Sequence, residues 1–248
     1  MGKPIAAPPI APHVLLGGRH RLGQKLGSGS FGGAFVGVQA STSEDFAVKL
    51  ESLKAKRPLL MYEARLLGHL QGMPGVPNVR YFGADGDYTV MLMDLLGPSL
   101  EDLFNMCGRN DVYLIDFGLA KTYCDPKTQG QLPYGEGNGF VGTSRYSSIN
   151  AQMGIEQSRR DDLLAIGCTL MYFIRNDRMV LECKRSTPIE TLCLGYPATF
   201  AAYISYCQTL GFHDRPNYAY LRRLFRDLFV REGLIRDGMI DWTHSSQK

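Results

Sequence analysis

The run Gly27-Ser28-Gly29-Ser30-Phe31-Gly32 sits between two apolar segments that read as strands, Arg21 to Leu26 and Ala34 to Val38. Glycines at this spacing let backbone N–H groups approach a phosphate closely, because no Cβ holds the ligand off. In a dinucleotide-binding turn a helix opens directly after them. Here the chain continues into Ala34-Phe35-Val36-Gly37-Val38, a strand pattern. The expectation is therefore a hairpin whose tip covers phosphate. Gly-rich hairpins are common without a ligand, so the run constrains the local fold more than the function.

Phe46-Ala47-Val48-Lys49-Leu50 reads as another strand, carrying one lysine. Such a lysine is commonly a solvated edge charge. Pro58 to Leu70 reads as a helix, with Leu59, Leu60, Leu66, Leu67 and Leu70 recurring at helical spacing and Glu63 on the same stripe. An inward carboxylate needs a cation, since a buried unpaired charge is costly. Lys49 is the candidate; the other reading leaves Glu63 at the rim of the stripe. Val90 to Leu96 reads as a buried strand ending at the Gly97-Pro98 break. Ser99 and Asp102 then form a capping-box pattern opening a helix. The residues before Asp116-Phe117-Gly118 read as a short strand.

The bulk properties exclude little. The chain has 248 residues, 44% hydrophobic and 21% charged, as in ordinary globular proteins. A net charge of +3 is too weak to argue for nucleic acid. Arginine clusters such as Arg222, Arg223 and Arg226 fit a solvated helix surface. The six cysteines include no CxxC and no His-paired ligand spacing, so they read as reduced thiols of a cytoplasmic or nuclear protein. No apolar run approaches membrane-span length, which predicts no membrane partner. Residues 1–15, rich in proline, read as a flexible tail without a signal pattern. Met1-Gly2 is followed by Ala6 where a myristoylation pattern has Ser or Thr.

Taken in order, Gly-rich hairpin, strand lysine, helix glutamate, hinge strand and Asp116-Phe117-Gly118 resemble the eukaryotic protein kinase fold. The details are similar to the casein kinase 1 family: LGSGSFG (26–32), LLGPSLEDLF (95–104), IDFGLAK (115–121), GTSRYSSIN (142–150) and GIEQSRRDDL (154–163). KRSTPIETLCLGYP (184–197) and NYAYLRRLFRDLF (217–229) add to them, and the likeness runs from about Val14 to Trp242. The fold implied is α+β and two-lobed, with a complete β-rich N-lobe at 16–94 and an incomplete helical C-lobe at 95–242; residues 243–248 form a tail.

The resemblance implies ATP and magnesium as cofactors. The phosphate cover would be Leu26, Gly27, Ser28, Gly29, Ser30, Phe31, Gly32, Gly33 and Ala34. Ala34 stands where the family usually has a larger residue over the adenine. Ala47, Met93 as gatekeeper, Asp94, Leu95 and Leu96 as hinge, and Ile115 would complete the nucleotide pocket. Lys49, paired with Glu63, would hold phosphates, and Asp116 the metal. Substrates would be acidic or phosphorylated proteins, met by Lys121 and Arg145. Arg145 alone also fits a structural ion pair. Asn138 stands where the family is more basic, and Gly135, Gly137 and Gly139 suggest a loose segment.

One part is missing. Between LEDLF and the Asp116 triplet the family has a long helix and a His-Arg-Asp…Asn loop, whose Asp is the base and whose Asn holds a second metal. Here Asp116 follows Phe104 by only 12 positions, with the flanks in register around Asn110 and Asp111. No other segment supplies the set: His20-Arg21 leads into Leu22, and Arg226-Asp227 lies on a polar helix face. Asp162, after Arg160-Asp161, would brace backbone on a structural helix. A positioned base contributes about 10²–10⁴-fold, so efficient turnover is not expected. A second gap follows Asn176, where the family has a Leu-Pro-Trp turn; the only tryptophan here is Trp242.

The loss also bears on folding. Asp161 to Phe173 is apolar nearly all round, the pattern of a buried central helix. Its main partner would be the absent helix. Each large side chain left exposed forfeits about 1.5–3 kcal/mol, against a whole-domain margin of about 5–15 kcal/mol. The expectation is a weakly stable C-terminal part, monomeric or chaperone-associated. Four readings follow: a kinase whose sequence is incomplete, a pseudokinase that binds nucleotide or serves as a scaffold, a degenerate splice or gene product, and, most distant, a nucleic-acid-binding role that rests only on the arginine clusters.

Overall fold

The computed structural model describes residues 15–16, 19–29, 32–100, 102, 113–125, 127–128, 130–140, 142–144, 146–175 and 187–234. The architecture is α+β: an antiparallel sheet comes first and helices follow. The chain divides into two compact units, one within 1–120 with 240–248 and the other within 121–239. Expectations for the N-terminal tail, the Asn110–Asp111 junction, Arg145, the second gap and Trp242 lie outside the described residues.

In the first unit the strands are β1 (Leu15–Leu16), β2 (His20–Gly29), β3 (Gly32–Gln39), β4 (Asp45–Ser52), β5 (Val79–Asp85) and β6 (Tyr88–Met93). They form one sheet in the order β1-β2-β3-β4-β6-β5, all neighbours antiparallel. The helix α1 (Leu60–Leu70) crosses over between β4 and β5.

Period-two alternation explains how this sheet sorts its side chains. On β4, Phe46, Val48 and Leu50 join Leu22, Val90 and Leu92 in one apolar cluster. The intervening positions face the other way, where Ala47 packs with Met91 and Met93 against Leu60, Ala64 and Leu67 of α1. Lys49 shares that alternation with Ala47, which is why an ionic side chain can sit within reach of α1. Burying both faces of β4 and β6 explains why their sequences read as nearly continuous apolar runs.

The start of α1 is held from a distance. Leu59, at its N-cap, provides no capping side chain. Instead the buried carboxylate of Glu51 accepts from the N–H groups of Leu59, at 2.8 Å, and Leu60, at 3.3 Å. A carboxylate here satisfies orphan donors and complements the helix dipole. Pro58 lies before the helix, not in it.

The second unit contains α2 (Ile149–Gln152), α3 (Arg159–Arg175), α4 (Ile189–Leu192), α5 (Ala198–Thr209) and α6 (Tyr218–Arg231). Leu163, Met171, Cys193, Tyr203, Ile204, Cys207, Leu210 and Leu221 form its core. Gly167 brings α3 close to α5: a Cβ there would stand 3.2 Å from Ile204 and 3.3 Å from Tyr203. Tyr203 donates its hydroxyl to the Leu163 carbonyl at 3.1 Å.

Two elements differ from the sequence expectation. The helix α3 forms, but it is not buried all round: Leu163, Gly167 and Met171 are buried, while Ile166 is 49% exposed. The strand expected before Asp116 does not form; residues 113–116 belong to no regular element. A backbone bond runs from Leu114 N–H to the Gly75 carbonyl, and Tyr113, Leu114 and Ile115 are exposed. A strand exists only through its ladder, and among the described residues this segment has no strand to pair with.

Candidate functional site

Cross-strand register builds the site. Ala34 on β3 pairs with Lys49 on β4, and Lys49 pairs with Met91 on β6; Ala47 likewise lies between Val36 and Met93. At the far end of β2 and β3 the partners are Gly27 with Ala34, Ser28 with Gly33 and Gly29 with Gly32. Ser30 and Phe31, the hairpin tip, lie outside the described residues.

The glycines of this hairpin are not equivalent. A Cβ on Gly32 would come within 2.0 Å of the Leu50 carbonyl oxygen, so packing of β3 on β4 alone demands glycine. A Cβ on Gly27 would meet no atom within 4 Å. Internal packing therefore accounts for Gly32 and leaves Gly27 beside open space. Leu26 is 53% exposed, Gly33 is buried and Ala34 is half-buried.

Three charged groups converge on the α1 side of the sheet. Lys49 Nζ lies 2.6 Å from Glu63 Oε1 and 3.4 Å from Asp116 Oδ1. The Glu63 side chain is only 5% exposed, whereas that of Asp116 is 76% exposed. Glu63 projects from the buried stripe of α1 with Leu60, Ala64 and Leu67, so the helix aims it at β4. The ammonium thus neutralises a buried carboxylate on one side and faces an open one on the other.

Asp116 is placed by its neighbour. Phe117 packs against the cluster of Leu60, Ala64, Leu67, Met91 and Met93, anchoring the short 3-10 turn Phe117–Leu119 beneath α1. The anchor leaves Asp116 in the left-handed region, with φ 65° and ψ 67°. Asp tolerates this conformation better than most residues, at a cost that sites of function commonly carry. Ile115 is 54% exposed and has no packed role.

At the end of β6, Met93 is buried, and Asp94, Leu95 and Leu96, expected from the resemblance to form a hinge, are half-buried. The Asp94 carboxylate accepts from the Asn78 backbone N–H, the Asn78 amide and Arg80 Nε, each at 2.9 Å. Burial pushes its pKa up. The Asn78 backbone bond, Arg80 and the Asn78 side chain outweigh that and hold the carboxyl below its usual range. Its side chain is therefore committed to structure. The Ser99–Asp102 box closes as the sequence predicts, with Ser99 N–H and hydroxyl donating to the Asp102 carboxylate at 3.0 and 2.6 Å.

In the second unit, Lys121 Nζ pairs with Glu156 at 2.7 Å, so an anion there would compete with a carboxylate already in place. The glycine-rich segment is tied down rather than loose. Glu156 N–H donates to the Gly135 carbonyl, and Asn138 N–H to the Gly154 carbonyl. Asp161, not Asp162, carries the bracing bonds: it is 2% exposed and accepts from Ser148 Oγ, Asn150 Nδ2 and Ser158 N–H. Asp162 is exposed.

Sequence reasoning missed the roles of Glu51, Phe117, Arg80, Glu156 and Asp161. Glu51 had a visible signal, since it lies two residues after Lys49 and so on the same strand face. Arg80 and Glu156 depend on partners 14 and 35 positions away and Phe117 on a cluster from α1 and β6, whereas the partners of Asp161 lie 3 to 13 positions before it, in a turn whose closure the sequence does not show. Among the described residues no group of three or more His, Cys, Asp or Glu side chains could hold a metal. Asp116 thus offers one carboxylate, a donor set suited to magnesium held largely by phosphate oxygens and poorly suited to a resident ion. No helix among the described residues is long and apolar enough to cross a membrane. No protein-family model matches the chain.

Proposed function

We propose that this chain is a protein-kinase relative of casein kinase 1 type that binds ATP with magnesium in its first unit and lacks the base needed for efficient phosphoryl transfer to protein serine or threonine. The observation that carries the reading is the triad of Lys49, Glu63 and Asp116, with Lys49 Nζ 2.6 Å from one carboxylate and 3.4 Å from the other.

Each group has a task in binding. Glu63 fixes Lys49 from the buried side, which orients the ammonium toward the open side where phosphate would lie. The hairpin from Gly27 to Ala34 offers backbone N–H donors. Asp116 would hold magnesium together with the phosphates; the ion would neutralise phosphate charge. The backbone at 94–96, next to buried Met93, is what remains to meet an adenine, because the Asp94 side chain is occupied. No base stands among the residues recognised from sequence, so a bound nucleotide would persist. Acidic or phosphorylated proteins remain the partner class, with Lys121 already partnered by Glu156.

The test is a thermal shift with ATP and magnesium on the full chain. The melting point should rise in a magnesium-dependent way, and the rise should vanish in Lys49→Ala. Asp116→Asn should lose the magnesium dependence while melting like the parent without ligand, because that carboxylate is exposed. No shift at millimolar ATP-magnesium would overturn the proposal. A second reading, an interrupted kinase gene product without a folded role, is favoured by exposed Leu114, Ile115 and Ile166, and that same negative result would support it.

A further inference from the structure

The second unit contains a cavity of about 410 Å³, within the range of small-molecule sites. Its apolar wall includes Leu164 and Met171 of α3, Ile189 and Leu192 of α4, and Ile204 and Cys207 of α5. The rest of the lining includes polar Ser148, Asn150, Thr187 and Gln208, so the cavity sets an apolar wall beside a polar one, the make-up of a site for an amphipathic ligand.

One wall residue is charged. Arg160 lines the cavity with its side chain only 17% exposed. Its Nη1 donates to the Leu210 carbonyl at 3.3 Å, and its guanidinium lies 5.9 Å from the Phe212 ring centre. Its Nε is buried with no hydrogen-bond partner. The nearby carboxylate, Asp161 Oδ2, is 3.7 Å from Nε, and Asp161 already serves Ser148, Asn150 and the Ser158 N–H. Among the described residues the Arg160 Nε is therefore left without a hydrogen-bond acceptor, beside a cavity with an apolar wall. Cys207 on the same wall adds no opposing negative charge, because burial pushes its thiol pKa up to about 11.

We propose that this cavity is a binding site for a small carboxylate with an apolar body, the carboxylate on Arg160 and the body against α3, α4 and α5. The site is separate from the nucleotide triad, which belongs to the first unit. An apolar body makes affinity grow with chain length, about fourfold for each buried methylene. A guanidinium anchor makes it depend on the charge of the head group.

The experiment is a calorimetric titration of the full chain with hexanoate, octanoate and 1-octanol. Octanoate should bind roughly 16-fold more tightly than hexanoate, from two methylenes at that increment. Arg160→Gln should weaken octanoate about tenfold or more and leave 1-octanol unchanged. Independently of any variant, octanoate should protect Cys168, which lines the cavity, from alkylation in the parent protein, read on its own peptide by mass spectrometry. Absent octanoate binding, equal binding to Arg160→Gln, or unprotected Cys168 would each overturn the proposal. These results are distinguishable from failure of the nucleotide reading, whose shift requires ATP and Lys49.

Discussion

Glu51 illustrates how much one side chain decides in the first unit. It lies at the end of β4, buried, and supplies the acceptor that α1 lacks at its own N-cap. Glu51→Ala should destabilise the first unit by about 2 kcal/mol, because it leaves buried donors unsatisfied. A urea titration that found the midpoint unchanged would show that water replaces the carboxylate. Asp94 makes a second prediction. Its carboxyl is held low by Asn78 and Arg80 despite burial, so its contribution is complete above the ordinary carboxylate value of about 4. The contribution is lost as pH falls through the depressed pKa. Stability of the parent should therefore fall more steeply with acidification below about pH 4 than that of Asp94→Asn, as measured by denaturant midpoints across pH. Parallel curves would contradict this assignment.

At the level of elements, the second unit depends on a contact that glycine alone permits. Gly154 has φ +73°, and a Cβ there would lie 2.3 Å from the Asn138 carbonyl oxygen. Gly154→Ala should cost at least about 1–2 kcal/mol from backbone conformation alone, with the clash added. It should also raise proteolytic cleavage within residues 135–140; unchanged cleavage and melting would refute the tie. Elements whose partners lie close in sequence were legible. The β2–β3 hairpin, the β4 strand with its lysine and the α1 stripe with Glu63 all follow from periods of two and 3.6. Elements that need distant partners were not. The residues before Asp116 have a strand's composition but no ladder, and α3 has a buried helix's composition but an open flank at Ile166. Asn138 looked loose because its glycine neighbours were legible and its bond to Gly154 was not.

Over the whole molecule, the sheet-bearing unit brings together the charges that the sequence picked out, while the contacts that position them were mostly hidden. Phe117 could be read as part of a triplet; that it anchors Asp116 under α1 required the fold. The lack of a His-Arg-Asp loop between Phe104 and Asp116, by contrast, is a property of the sequence, and the proposed reading takes it as loss of the base. Together these carry the proposal of a nucleotide site without efficient turnover. Phosphorus NMR of the full chain with ATP and magnesium tests both halves in one sample. The expected result is broadened nucleotide resonances that are relieved by Lys49→Ala, with the γ-phosphate signal persisting for hours when an acidic peptide is added. Unchanged line widths would contradict the nucleotide site, and a γ signal that decays above the rate of an Asp116→Ala sample would show that the chain transfers phosphate after all.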